Sequence, residues 1–153
     1  MARYVVHVRT PMPPAEAFAY MADLRNFAEW DPGVNQVTQV AGDGAGPESS
    51  FDVGVALPGW TMTLRYDTVA YDDDTTTMTA FAENALFTSE DTISVVGDGD
   101  GSVVTYDAEL KLKGLLGLSD PVLALTFNRI GDRAAARLIE ALAGEPAAEP
   151  AAA

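Results

Sequence analysis

The strongest constraint on this chain is the strict two-residue alternation of SVVTYDAELKLK, residues 102–113. Val104, Tyr106, Ala108, Leu110 and Leu112 alternate there with Thr105, Asp107, Glu109, Lys111 and Lys113. A helix would scatter this pattern around its axis, whereas a strand puts every apolar group on one face and every polar group on the other. The segment is therefore a strand with one face on a core and the other in water. Upstream, GDGDG (residues 97–101) separates it from LFTSEDTISVV (residues 86–96), a hairpin signal that makes the two neighbouring antiparallel strands.

The same reading extends back along the chain. RYVVHVRT (residues 3–10) alternates Tyr4, Val6 and Val8 against Arg3, Val5, His7 and Arg9. VNQVTQV, SSFDVGVAL, TMTLRYDTVAY and TTTMTAFAEN follow as further strands, with Phe51, Val53, Val55 and Leu57 on one face of the second and Met62, Leu64 and Tyr66 on one face of the third. Pro58-Gly59 suits the centre of a type II turn between those two. In residues 86–96 two registers are open: one turns Phe87, Ser89, Asp91, Ile93 and Val95 inward, the other Leu86, Thr88, Glu90 and Thr92.

Two segments read as helical. PPAEAFAYMADLRNFAEW starts on Pro13-Pro14 and carries Ala17, Phe18, Met21 and Leu24 at three- and four-residue spacing, as one short helix or a pair broken near Asp23. It ends at Trp30, against the helix-stopping Asp31-Pro32. From Asp120 a long helix is expected, with Leu123, Phe127, Ile130, Ala134, Leu138 and Ala141 on one stripe and Arg129, Arg133 and Arg137 on another. The expected order is one strand, a helix pair, six strands and a long helix, an α+β chain with an antiparallel sheet of about seven strands. Residues 1–143 form one domain on this reading, and GEPAAEPAAA (residues 144–153), without a bulky apolar group, is a disordered tail.

Composition narrows the function. The 153 residues are 48% apolar and 21% charged, enough for one real core, and the formal charge is −14, from 9 Lys and Arg against 23 Asp and Glu. Such a charge argues against nucleic acid and anionic membranes as partners. The absence of cysteine removes disulfides, thiolate metal sites and cysteine nucleophiles, and the single histidine, His7, leaves no His-rich metal site. The acidic stretches around Asp72–Asp74 and Asp98–Asp100 lack EF-hand spacing and read as solvated turns, so no metal or other cofactor is expected. Gly42, Gly44 and Gly46 lie between strands, where no helix follows to cradle a phosphate. The start of the chain resembles neither a signal peptide nor a membrane span, which gives an expectation of a cytoplasmic protein without membrane insertion.

Two stretches, PPAEAFAYMADLRNFAEWDPGV and GSVVTYDAELKLKGLLGL, together with the element order, resemble the START/Bet v 1-like (SRPBCC) superfamily, and within it the polyketide cyclase/dehydrase and lipid-transport group. The resemblance implies the helix-grip fold: a sheet curved around the final helix, with an apolar cavity roofed by the short helices and Trp30 as an aromatic plug between roof and sheet. It implies a small, largely apolar, lipid- or polyketide-like molecule as the partner.

Alternation places Phe51, Met62, Leu64, Tyr66, Tyr106, Ala108 and Leu110 on the inner face, with Asp91 joining them in one register of its strand. With Trp30 and Phe127 these are the candidate ligand-binding residues. Tyr66, Tyr106 and Asp91 are its polar anchors, since a buried phenol seeks a partner and a carboxyl between apolar walls has a raised pKa. Trp60 is either a mouth residue or the cover of a hairpin end. Three functions remain open: a binder of a small apolar molecule, a cyclase or dehydratase using the same cavity, and a protein-interaction module with a filled core. A cavity of several hundred Å³ separates the first two from the third.

Overall fold

The computed structural model describes residues 1–114 and 120–150, with side chains of the last helix described from Ala124 onward. Along the chain lie β1 (Ala2–Thr10), α1 (Pro14–Ala22), a 3-10 turn (Leu24–Asn26), α2 (Phe27–Trp30), β2 (Val34–Ala41), β3 (Ser50–Leu57), β4 (Trp60–Asp72), β5 (Thr77–Glu83), β6 (Phe87–Asp98), β7 (Gly101–Leu112), α3 (Asp120–Ala141) and β8 (Glu145–Pro146). The strands form one antiparallel sheet in the order β2-β3-β4-β5-β6-β7-β1-β8. Consecutive hairpins build β2 to β7 as a meander, and β1 closes against β7 with Tyr4 opposite Ala108 and Val6 opposite Tyr106. The architecture is the helix-grip fold, an open sheet with a long carboxy-terminal helix.

The inner face is the apolar face of each alternating strand. Phe51, Val53, Leu64, Met78, Ala80, Ile93, Val95 and Val104 are buried there, beneath Phe18, Met21, Leu24, Phe27 and Trp30 from the short helices. The two open registers of β6 are resolved by its partners: Asp91 lies opposite Ala80 on β5 and Ala108 on β7, so Ser89, Asp91, Ile93 and Val95 face inward and Glu90 is exposed. Asp23 breaks the helical pair. Its carboxylate accepts the Arg25 backbone N–H at 3.1 Å and Arg25 Nη2 at 2.6 Å, starting the 3-10 turn that swings Phe27 and Trp30 onto the sheet.

The helix stripe differs from the expected one. Ala134, Leu138 and Leu142 are buried and Phe127 is half-buried, while Ile130 is 45% exposed and Ala141 is exposed. The reason is where α3 crosses β1: a Cβ at Gly131 would stand only 2.4 to 2.6 Å from ring atoms of Tyr4. The helix approaches β1 through that glycine, and Tyr4 Oη donates to Asp132 Oδ1 at 2.8 Å beside it. The contact stripe therefore runs 127, 131, 134, 138 and 142. Leu123 and the glycine-rich step of residues 115–119 lie outside the described residues.

The expectation of a disordered tail from residue 144 is corrected for residues 144–147. Ala143 takes a positive φ of 49°, Gly144 passes close to the Arg9 carbonyl, and Glu145–Pro146 then pairs with Val8 and Arg9. Ala147 N donates to the His7 carbonyl at 3.0 Å, and Arg9 bridges Glu145 at 3.2 Å and Asp98 at 2.9 Å. Pairing of this kind uses backbone groups along an open strand edge and requires no bulky apolar side chain, so the composition of the segment did not announce it.

Candidate functional site

The interior holds a small polar cluster among apolar walls. Tyr66 Oη and Ser89 Oγ share a buried hydrogen bond of 2.7 Å, and Tyr106 Oη donates to Asp91 Oδ2 at 3.0 Å. Above Tyr106 sit the rings of Trp30, edge-on at 5.2 Å between centroids, and Phe27, edge-on at 5.8 Å. Trp30 is 1% exposed, and its Nε1–H has no acceptor among the described residues. Its place at the helix end is explained by this packing, against Phe27 at 4.7 Å on one side and Tyr106 on the other.

Between this cluster and α3 lies a crevice of about 60 Å³, with Trp30, Asp31, Tyr106, Ala108, Phe127 and Gly131 in its walls. Four expected binding residues thus come together: Trp30, Tyr106, Ala108 and Phe127. Phe51 and Leu64 are buried in the core, Met62 and Leu110 are half-buried, and Tyr66 and Asp91 belong to the polar cluster. The crevice is well below the roughly 300 Å³ at which small-molecule pockets begin. Asp31 was read from the sequence only as a helix stop. In the fold its Oδ1 accepts the Gly33 N–H at 2.8 Å, and the residue lines the crevice.

Burial sets the proton affinities here. It pushes the Asp91 carboxyl up to about 7, against a lowering contribution from the Tyr106 hydroxyl, and it pushes Asp31 up against the Gly33 N–H. Desolvation also raises Tyr66 and Tyr106 far above the ordinary phenol range, with the negative charge of Asp91 adding to it. Both tyrosines are neutral at any physiological pH. A carboxyl that titrates near neutrality behind a neutral phenol can hold or pass a proton, and the phenol reaches the crevice.

The other singled-out residues stand apart from this site. His7, on the outer face of β1, pairs its Nδ1 with Thr105 Oγ1 at 2.8 Å. Trp60 is 60% exposed beside the Pro58-Gly59 turn, where Gly59 has the positive φ of 81° that such a turn demands. Asp72 caps its own turn by accepting the Asp74 and Thr75 N–H groups. Among the described residues no helix is long and apolar enough to cross a membrane.

A sheet gripping a carboxy-terminal helix, with an apolar crevice and a few polar groups between them, defines a ligand-binding class of fold. The chain belongs to the family described as polyketide cyclase / dehydrase and lipid transport, which matches residues 1–143. Among solved structures it is similar to a START superfamily protein from Mycobacterium smegmatis, at 13% identity and a TM-score of 0.73, over 94% of this chain and 98% of that one. The Zhui aromatase/cyclase from Streptomyces sp. R1128 matches at 9% identity and a TM-score of 0.71, over 92% of this chain and 90% of that one. Ara h 8.0201 matches at 17% identity and a TM-score of 0.59, over 90% and 97%. At these identities the likeness concerns the fold. No curated protein matches the chain.

Proposed function

We propose that this domain binds one small, largely apolar molecule between its sheet and α3, with Trp30 and Tyr106 as polar anchors and Asp91 supporting Tyr106 from behind. The observation that carries the reading is the crevice itself, walled by Trp30, Tyr106 and Phe127 beside the Tyr106–Asp91 pair, with the buried Trp30 Nε1–H finding no acceptor among the described residues. A buried donor without an acceptor costs about 1 to 3 kcal/mol, a cost that a bound acceptor removes. The crevice of about 60 Å³ falls short of the several hundred Å³ that separates a binder from a filled-core module, so this reading requires α3 to move outward to admit a ligand of ordinary size. Phe127 is half-buried and Leu125 and Ile130 are exposed, so residues 125–130 of α3 give up little buried surface when they move.

The test is titration with a fluorescent apolar probe, which should saturate at one per chain. Ala108→Phe fills the crevice and should abolish that binding, at no more than the roughly 1 to 3 kcal/mol of overpacking. A probe that does not bind, or that binds the Ala108→Phe variant equally well, moves the filled-core interaction module into first place.

A second reading, a cyclase or dehydratase in the same crevice, draws on Asp91. A carboxyl raised to about 7 and hydrogen-bonded to a phenol at the crevice wall is suited to acid–base chemistry at neutral pH. Tyr106 would touch the substrate and Asp91 would supply or take the proton through it. Loss of turnover with retained binding in Asp91→Asn supports this reading, and unchanged turnover removes it.

A further inference from the structure

The acid in the wall of the crevice is Asp31, with Asp91 behind Tyr106. The charged groups acting on Asp91 are Asp31, Asp107 and Glu90, and those acting on Tyr106 are Asp91 and Asp31. Among the described residues no basic side chain is shown in an ion pair with Asp31 or Asp91; Arg3, Arg9, Arg25 and Arg65 pair with other acids on the surface, and Arg129, Arg133 and Arg137 of α3 are exposed. Burial keeps these carboxyls partly protonated, and a cation bound beside them stabilises their charged form, so the site gains by taking one. The same crevice presents aromatic surface from Trp30, Tyr106, Tyr4 and Phe127. Rings of this kind attract organic cations through their negative faces, most strongly when the cation is desolvated. Independently of the acids, Trp30, a residue of the same wall, has a buried Nε1–H with no acceptor among the described residues.

We infer that the molecule bound in this crevice is an organic cation: an apolar body ending in an ammonium group that meets Asp31 and the aromatic rings, with an oxygen close by that accepts the Trp30 N–H. The inference rests on the proposed ligand-binding function and specifies its ligand class. The volume of about 60 Å³ matches it, being room for a polar head while the apolar body lies along the Phe127 and Ile130 side of α3. A carboxylate head of the same size is excluded by the two acids. A neutral hydroxyl head would satisfy Trp30 but leave the field of the acids unanswered.

Three probes of matched shape decide it: phenoxyethylamine, phenoxyethanol and phenoxyacetate, which share the ether oxygen and differ in the charge of the head. Binding is followed by calorimetry and by the fluorescence of Trp30 in a Trp60→Phe background, where Trp30 is the sole indole. The amine should bind at least about tenfold tighter than the alcohol at neutral pH, with phenoxyacetate weakest. In the Asp31→Asn, Asp91→Asn double variant the amine and the alcohol should come within about twofold of each other, through loss of amine affinity alone. An alcohol that binds as tightly as the amine, or an acid that binds best, overturns the cation inference and leaves the ligand-binding function standing. If none of the three binds and the fluorescent apolar probe also fails, both fall together. The comparison on the protein with its acids intact is decisive even if the double variant does not fold.

Discussion

Replacing Asp91 by Asn probes the interior through stability alone, without any ligand. Burial raises this carboxyl from an ordinary 3.8 to about 7 in the fold. Between those values the folded chain holds a proton that the unfolded chain has released, so stability from this group is complete below about pH 4 and is lost as pH rises to about 7. The lost amount is about 3 pKa units at about 1.4 kcal/mol each, or about 4 kcal/mol. An asparagine keeps an oxygen to accept the Tyr106 hydroxyl and carries no charge to desolvate. The variant should therefore match the parent near about pH 4 and exceed it by up to about 4 kcal/mol near about pH 8. Urea melts of both proteins across that range give the difference directly, because groups elsewhere in the chain cancel. A difference that does not change with pH, or a variant less stable than the parent at about pH 8, would show that the Asp91 carboxylate is well accommodated in the fold and would refute the argument.

Two further perturbations follow from the packing. Trp30→Ala should cost about 3 to 5 kcal/mol in a denaturant melt, since the indole is buried between Phe27 and Tyr106, and a loss under about 1 kcal/mol contradicts that placement. Deleting residues 145–150 and beyond removes β8, the Ala147 to His7 hydrogen bond and the Arg9–Glu145 pair; a loss of about 1 to 2 kcal/mol and faster amide exchange along β1 are expected, and an unchanged melt contradicts the docking.

Much of the fold was legible because most strands have one wet face. In β3, β4 and β7 the alternation of Phe51, Leu64 and Tyr106 with polar neighbours leaves one arrangement that buries the apolar groups. β6 was ambiguous because both of its faces mix apolar and polar residues, and only its pairing with Ala80 and Ala108 decides that Asp91 faces in. Within the site, Tyr106 and Ala108 could be placed by alternation, but Asp31 could not, because its helix-stopping role accounted for it locally. The size of the crevice was not legible either. It depends on how closely α3 approaches β1, which the contact between Gly131 and Tyr4 sets across more than a hundred residues of chain. β8 escaped for a different reason, since its pairing is carried by backbone groups common to every sequence.

The central claim, that the interior between sheet and helix receives one small molecule, is tested most directly by native mass spectrometry of the protein purified from its own host. The account predicts a species heavier than the bare chain by one small molecule, absent from the Ala108→Phe variant prepared in the same way. The bare chain alone in both preparations, or an adduct that survives Ala108→Phe, would contradict it.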